Sequence, residues 1–350
     1  MPIDIEAARW GMRLILGVEP RNEEEVRFHA AGHASLSAFR QSFFQTPEAR
    51  NEFDKANEQT SAYKVPAFLM RPSEYANVCS RFQPPTLSSP VSQLCTAEQM
   101  RSDTYLQVSP YVGIHDQTFH RKLWEYVYIF NVVRLAGMLG TDFRGIGFGT
   151  GIEPLPSAFA KLGTKITATD APADIPQAVE WAAGQQWTQT LEDIWFPELV
   201  DHATFMENVT FQTADMTAIP TNLRGYDFCW SACCLEHLGS IENGLKFIRE
   251  SLATLRPGGL AVHTTEFNLQ SNEKTLDEPP TCLFRKRDLE RLASTLIDEG
   301  HTVEPLNFWP GADPVDEHID VPPYSLPHIK LKVAEYSTTS FGMIVRKSKG

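Results

Sequence analysis

Residues 144–170 read RGIGFGTGIEPLPSAFAKLGTKITATD, and the fold turns on this stretch. Arg144 to Phe148 is a short apolar run that enters glycines, LPSAFAKLG is a helix ending at Gly163, and KITATD is a second strand ending at Asp170. Gly147, Gly149 and Gly151 form a GxGxG turn between strand and helix. Glycines there let the backbone turn sharply and let a ligand approach the peptide plane, while the helix start offers free N–H donors. Asp170 follows Gly151 by 19 residues, at the end of the next strand, where a carboxylate can accept ribose hydroxyls. The bland alternative for Asp170 is a helix N-cap within ATDAPAD.

Outward from this unit, strands and helices continue to alternate. VTFQTAD and YDFCWSACC read as a third and a fourth strand, IENGLKFIRESLATLRPGG as a helix, and GGLAVHTTEF as a fifth strand. HTVEPLNF and STTSFGMIVRKS can pair as an antiparallel terminal unit. This alternation predicts a doubly wound α/β fold with a mostly parallel, seven-stranded sheet that binds ligands beyond the carboxyl ends of its strands. Upstream, HRKLWEYVYIFNVVRLAGML (120–139) is a helix with Leu123, Tyr126, Val127, Phe130 and Val133 on one side. The stretch from Pro66 to about Pro110 is rich in Pro, Ser and Gln and predicts irregular chain. Ile5, Ala8, Met12 and Ile15 recur at helical spacing. The expected organisation is a small helical module over 1–65, a connecting or covering segment over 66–118, and the α/β domain over 119–350.

Composition narrows the function. The 350 residues carry 31 basic and 44 acidic side chains, a formal charge of −13 that argues against broad nucleic-acid or anionic-membrane binding. With 42% apolar residues and 21 Phe, the chain can bury a core. Six cysteines without a CxxC pair read as reduced, buried thiols. The amino-terminal segment has acids and Arg where a signal peptide needs apolar residues, and the apolar run 126–140 is too short to span a bilayer. The expectation is a cytoplasmic protein acting on a small molecule or a glycan, with no nucleic acid and no membrane span; a homo-oligomer is compatible with the sequence.

A dinucleotide-binding dehydrogenase needs a third glycine where Ile152 stands, and Glu153 would repel a pyrophosphate. A cofactor with ribose and no phosphate suits the turn better. Over roughly 110–350 the sequence resembles class I S-adenosylmethionine-dependent methyltransferases. GIGFGTG matches the glycine-rich motif, ATD the acidic ribose motif, Ala214–Asp215–Met216 the third-strand motif at adenine, YDFCWSACCLEHL the fourth strand and its loop, and LRPGGLAV the turn into the fifth. The resemblance implies a cofactor site of Gly147, Phe148, Gly149, Thr150, Gly151, Glu153, Asp170, Ala171, Asp215, Met216, Ser231 and Cys233. The sequence departs from the family at Gly145, which replaces an acid that helps place the cofactor's methionine end; Glu153 is the candidate substitute. EHLGSIENGL, HTTEFN and VPPY look like bacterial methyltransferases of surface-polysaccharide gene sets, which implies O-methylation of a sugar or glycan intermediate. An NAD-dependent oxidoreductase and a catalytically silent glycan-assembly partner are the competing readings.

Methyl transfer to a hydroxyl needs alignment and a base at the carboxyl edge of the sheet. His237, Glu236 and Glu266 are the candidates, with His237 favoured because histidine is the natural base near neutral pH. The alternative is that Glu236–His237 caps the next helix or hydrogen-bonds under the cofactor. His263 and Glu266 are three apart, so on one strand they face opposite sides, and His263 reads as a core histidine. A divalent metal on His237, Glu266 and Asn268 lacks compact ligand spacing, and no metal is expected. His115, Tyr111 or Trp124 would line the pocket if the segment before the first strand covers it. PGADPVDEHIDVPPY reads as a lid or acceptor loop. Trp181, Trp187, Trp195 and Phe196 either stack on a ligand or pack an inserted helix, with packing preferred.

Overall fold

The computed structural model describes residues 23–32, 63–172, 187–188 and 190–350. Much of the proposed amino-terminal module and Trp181 lie outside the described residues. The glycine segment forms the centre of the sheet. β1 (Arg144–Phe148) pairs in parallel with β2 (Lys165–Asp170) on one side and with β4 (Tyr226–Ala232) on the other. β3 (Val209–Thr213) extends the sheet beyond β2, and β5 (Leu255–Asn268) extends it beyond β4, again in parallel. β6 (Tyr336–Arg346) runs antiparallel to β5, with Thr338 opposite Asn268 and Arg346 opposite Leu260.

The sheet then continues past the expected seven strands to twelve. Ser92–Leu94 pairs with β6, Leu306–Asn307 with Ser92–Leu94, and Ser80–Arg81 with Leu306–Asn307. Thr302–Val303 does pair antiparallel with β6, but Leu306–Asn307 leaves it to reach the added edge. The stretch expected to be irregular thus supplies sheet edge, and it also supplies helices at Ala97–Arg101 and Asp103–Val108. Thr96 and Ser102 cap these helices through their hydroxyls, which composition alone does not reveal.

Alternation along the strands divides the core into two layers. From β4, Phe228 and Trp230 point to one face, joining Trp124, Val127, Phe130 and Phe159; Cys229 points to the other, joining Phe247, Ile248 and Leu252, and Tyr226 joins it there because the register shifts between Tyr226 and Phe228. Helix α1 (Arg121–Leu135) covers the first face, followed along the chain by α2 (Leu155–Lys161) and α3 (His202–Asn208). α4 (Ile241–Ser251) and α5 (Lys286–Asp298) cover the second, and each fully buried Phe or Leu contributes about 1.5–3 kcal/mol.

α1 is buried on more than the single side expected from its pattern. Its outer surface is covered by 87–99: the Tyr128 hydroxyl donates to the Val91 carbonyl at 2.6 Å, Asn131 Nδ2 to the Leu87 carbonyl at 2.6 Å, and Trp124 Nε1 to Gln99 Oε1 at 2.9 Å. Anchored from behind, α1 presents its first turn to the carboxyl edge of the sheet.

Candidate active site

A cleft of about 910 Å³ opens along that edge. Its walls include Gly149, Thr150, Gly151 and Glu153 after β1, Asp170 and Ala171 at β2, Asp215 and Met216 after β3, Cys233, Glu236 and His237 after β4, and Glu266 on β5. Twelve of the expected site residues therefore meet around one space. Gly147, Phe148 and Ser231 lie beneath it. A Cβ on Gly147 would meet the Trp230 ring at 2.4 Å, Phe148 packs edge-on against Phe247, and Ser231 Oγ bonds His263 Nδ1 at 2.8 Å.

The glycine turn is shaped by close approach. Gly149 has φ of +57°, and a Cβ there would lie 3.0 Å from the Cys234 side chain and 3.3 Å from Met216 Sδ. A side chain at this point would fill the cleft floor, so the turn can cradle a ligand only as glycine. Asp170 ties it in place: Oδ2 accepts from the Gly151 and Thr188 N–H groups at 3.0 Å each, and Oδ1 from Ala171 N–H at 2.7 Å. Three of a carboxylate's roughly four acceptor positions are held by backbone, leaving room on Oδ1 for a further donor. Burial raises the Asp170 pKa and the three backbone bonds oppose that shift without cancelling it. Among the described residues Asp170 caps no helix.

At Gly145 an acid cannot be built, because its Cβ would lie 2.4 Å from the Phe228 ring. A carboxyl group enters instead two residues beyond the turn. Glu153 is buried in the cleft wall and accepts the Trp230 indole N–H at 2.7 Å. Burial pushes its pKa up to about 8, although the Trp230 bond and Lys122 favour the carboxylate. A carboxyl raised from 4.5 to about 8 supports the fold fully below its unfolded value and loses that support as pH rises through 8. Thermal unfolding of ligand-free protein should fall by a few degrees between pH 6.5 and 8.5, and Glu153→Gln, which still accepts the indole N–H, should flatten that slope.

The opposite end of the cleft is an ionic network. Arg121 Nη2 pairs with Glu266 Oε2 at 2.6 Å and Nη1 with Glu125 Oε1 at 3.2 Å, while Lys122 Nζ reaches Glu125 Oε2 at 3.4 Å and donates to the Ala232 carbonyl at 2.7 Å. Burial alone would raise the Glu125 pKa, but Lys122 and Arg121, with hydrogen bonds from Ser340 and Cys233, bring it below the ordinary value. Burial raises the Glu266 pKa despite Arg121. Cys233, with φ of +51°, turns the chain so that its thiol donates to Glu125 Oε1 at 3.1 Å. Burial, then Glu125 and Glu236, hold that thiol protonated.

His237 ends a short 3₁₀ turn, and its Nδ1 lies 2.8 Å from the Pro280 carbonyl. A carbonyl only accepts, so the proton sits on Nδ1 and Nε2 is the basic nitrogen. The capping alternative falls to Ser240, whose hydroxyl accepts from Asn243 N–H and caps α4. Glu236 is buried and accepts from Thr265 Oγ1 at 3.3 Å. β5 runs unbroken through Glu266, so the opposed facing of Glu266 and His263 holds. His263 is a satisfied core histidine, bonded to Ser231 and to Ser251 Oγ at 3.1 Å, with burial lowering its pKa to about 3.

Other expectations are redistributed. The segment before β1 reaches the cleft through Arg121, Lys122 and Tyr126, not through His115, Tyr111 or Trp124. His115 is exposed, Tyr111 stacks on Phe130, and Trp124 is core. The lid tract contributes Tyr324 to the wall, and Leu331 and Val333, beyond the tract, line the cleft beside it. Trp195 and Phe196 pack against the core, while half-buried Trp187 donates to the Ala171 carbonyl at 3.0 Å. Asn268 is engaged by Lys274 and Thr275 and joins no ligand set. Among the described residues Cys233, Glu236 and Glu266 bring candidate metal-ligand atoms within 4.8 Å of one another, with Arg121 already against two of them. Sequence reasoning missed Arg121, Lys122, Tyr126, Cys234, Leu331 and Val333. The Arg121–Glu125 spacing was the available signal, since i,i+4 charges on a buried helix require partners.

Residues 145–263 match a family model described as a methyltransferase domain. No curated protein matches the chain. Similar solved structures include a Galdieria sulphuraria protein bearing the name of a sarcosine dimethylglycine methyltransferase, 15% identical, covering 65% of this chain and 86% of that one at a TM-score of 0.40. Magnesium protoporphyrin IX methyltransferase from Synechocystis, with bound S-adenosylmethionine, is 13% identical over 65% of this chain and 79% of its own, at 0.38. A Burkholderia thailandensis 1,6-didemethyltoxoflavin-N1-methyltransferase is 16% identical over 62% and 75%, at 0.35. No described helix is long and apolar enough to cross a membrane. The match over residues 145–263 supports a methyltransferase domain, and S-adenosylmethionine is the cofactor that such a domain implies.

Proposed function

We propose that this methyltransferase acts on a hydroxyl of a neutral sugar or glycan intermediate, with His237 as general base. The cofactor supplies a methyl group on a positively charged sulfur. The residues around the cleft fit it: a glycine cradle, Asp170 with an acceptor position to spare, and Met216 and Asp215 at the adenine end. The protein's task is then to hold the acceptor oxygen in line and take its proton.

The observation that carries the reading is the placement of His237. Its N–H donates to a backbone carbonyl, and the residue lines the cleft together with Glu236 and Glu266, the end that this reading assigns to the acceptor. Glu236 and Glu266 can receive neighbouring hydroxyls, and Tyr324, Leu331 and Val333 offer an apolar wall against one face of a sugar ring. Carboxylates at this end disfavour an acceptor bearing phosphate or carboxylate. A screen with methyl-labelled S-adenosylmethionine against neutral sugars, sugar acids, amines and phosphorylated sugars tests this. Label should enter neutral hydroxyls at rates at least tenfold above the anionic acceptors; label confined to amines or acids removes the proposal.

A further inference from the structure

Glu153 has no part in taking the acceptor's proton, yet it is a buried carboxyl on the cleft wall. It lines one cleft with Asp170, at the end of β2, and with Lys122 and Tyr126 of α1. Asp170, Lys122 and Glu125 act on it electrostatically. Tyr126 of α1 and Cys234 after β4 also feel its charge, and Trp230 of β4 donates to its Oε1 at 2.7 Å. Asp170 marks the ribose end and the Arg121–Glu266 network the acceptor end, as proposed above. The sulfur, one carbon from the ribose, must lie between them, in the cleft whose wall Glu153 lines.

Transfer changes the charge there. The sulfur is positive before reaction and neutral after it, while the hydrogen bond that the carboxyl accepts comes from the neutral Trp230 indole. We infer that Glu153 is the residue through which the cleft distinguishes the charged cofactor from its neutral product. The sulfonium stabilises the carboxylate, so a proton passes from Glu153 to solvent as the charged form binds. Once the sulfur is neutral the burial cost returns, the carboxyl takes a proton back, and the product is held less tightly.

The inference rests on reading the cleft as the cofactor site, and the test separates the two. Calorimetry at pH 7 in buffers of different ionisation enthalpy counts the protons released on binding. The expected result is close to one proton for S-adenosylmethionine and close to none for S-adenosylhomocysteine. Glu153→Gln should abolish that difference and reduce the preference for the charged form by about tenfold or more. Equal proton counts for the two ligands in the unmodified protein overturn the inference even if the variant does not fold. An unchanged preference in a folded variant overturns it as well. If neither ligand binds the unmodified protein, the cofactor reading itself fails, and this inference with it.

Discussion

His237→Asn should lower turnover by about 10²–10⁴-fold while leaving the affinity for S-adenosylhomocysteine within about twofold. Asparagine is the informative replacement because its amide N–H can still donate to the Pro280 carbonyl, as Nδ1 does now. The loop is then retained and only the basic nitrogen is lost. If the variant keeps full turnover, the base lies elsewhere among the groups lining this end of the cleft, with Glu236 next in line.

Asp170→Asn should weaken cofactor binding by about 10- to 100-fold, the worth of roughly 1.5–3 kcal/mol for a hydrogen bond to a charged group. The side-chain shape is preserved, but an amide has one acceptor oxygen where the carboxylate has two. The N–H groups of Gly151, Thr188 and Ala171 converge on both oxygens, so at least one must lose its partner inside a buried site. The melting temperature should fall for the same reason, and the rise in melting temperature on adding S-adenosylhomocysteine should shrink. A variant that binds the ligand normally would show that Asp170 only braces the turn.

The parallel strands were legible because each carries a short apolar run bounded by glycine or an acid, as in RGIGFG and KITATD. The cleft residues were legible where they sit at strand ends, since topology fixes those ends to one edge. Arg121 and Lys122 were hidden because nothing local marks which turn of a buried helix will face a pocket; that follows from Gln99, Val91 and Leu87 binding its far side. Ser92–Leu94 was missed for a related reason. Three residues carry no periodicity, and their strand state comes wholly from pairing with β6. Gly145 could be noticed as a departure from the family, yet its cause, the Phe228 ring in the space of a side chain, is a contact between strands.

The position of β6 between β5 and Ser92–Leu94 has a bearing on biogenesis. The Leu94 and Phe341 backbones pair, and Ser340 and Thr338 supply hydroxyls to Glu125 and Glu266, so early and late parts of the polypeptide must meet before the charged network is complete. At about 5–20 residues added per second, tens of seconds separate their emergence from the ribosome. Throughout that interval Ser92–Leu94 lacks its strand partner and Glu125 lacks the Ser340 hydroxyl, which leaves the nascent protein with an unpaired strand until β6 arrives.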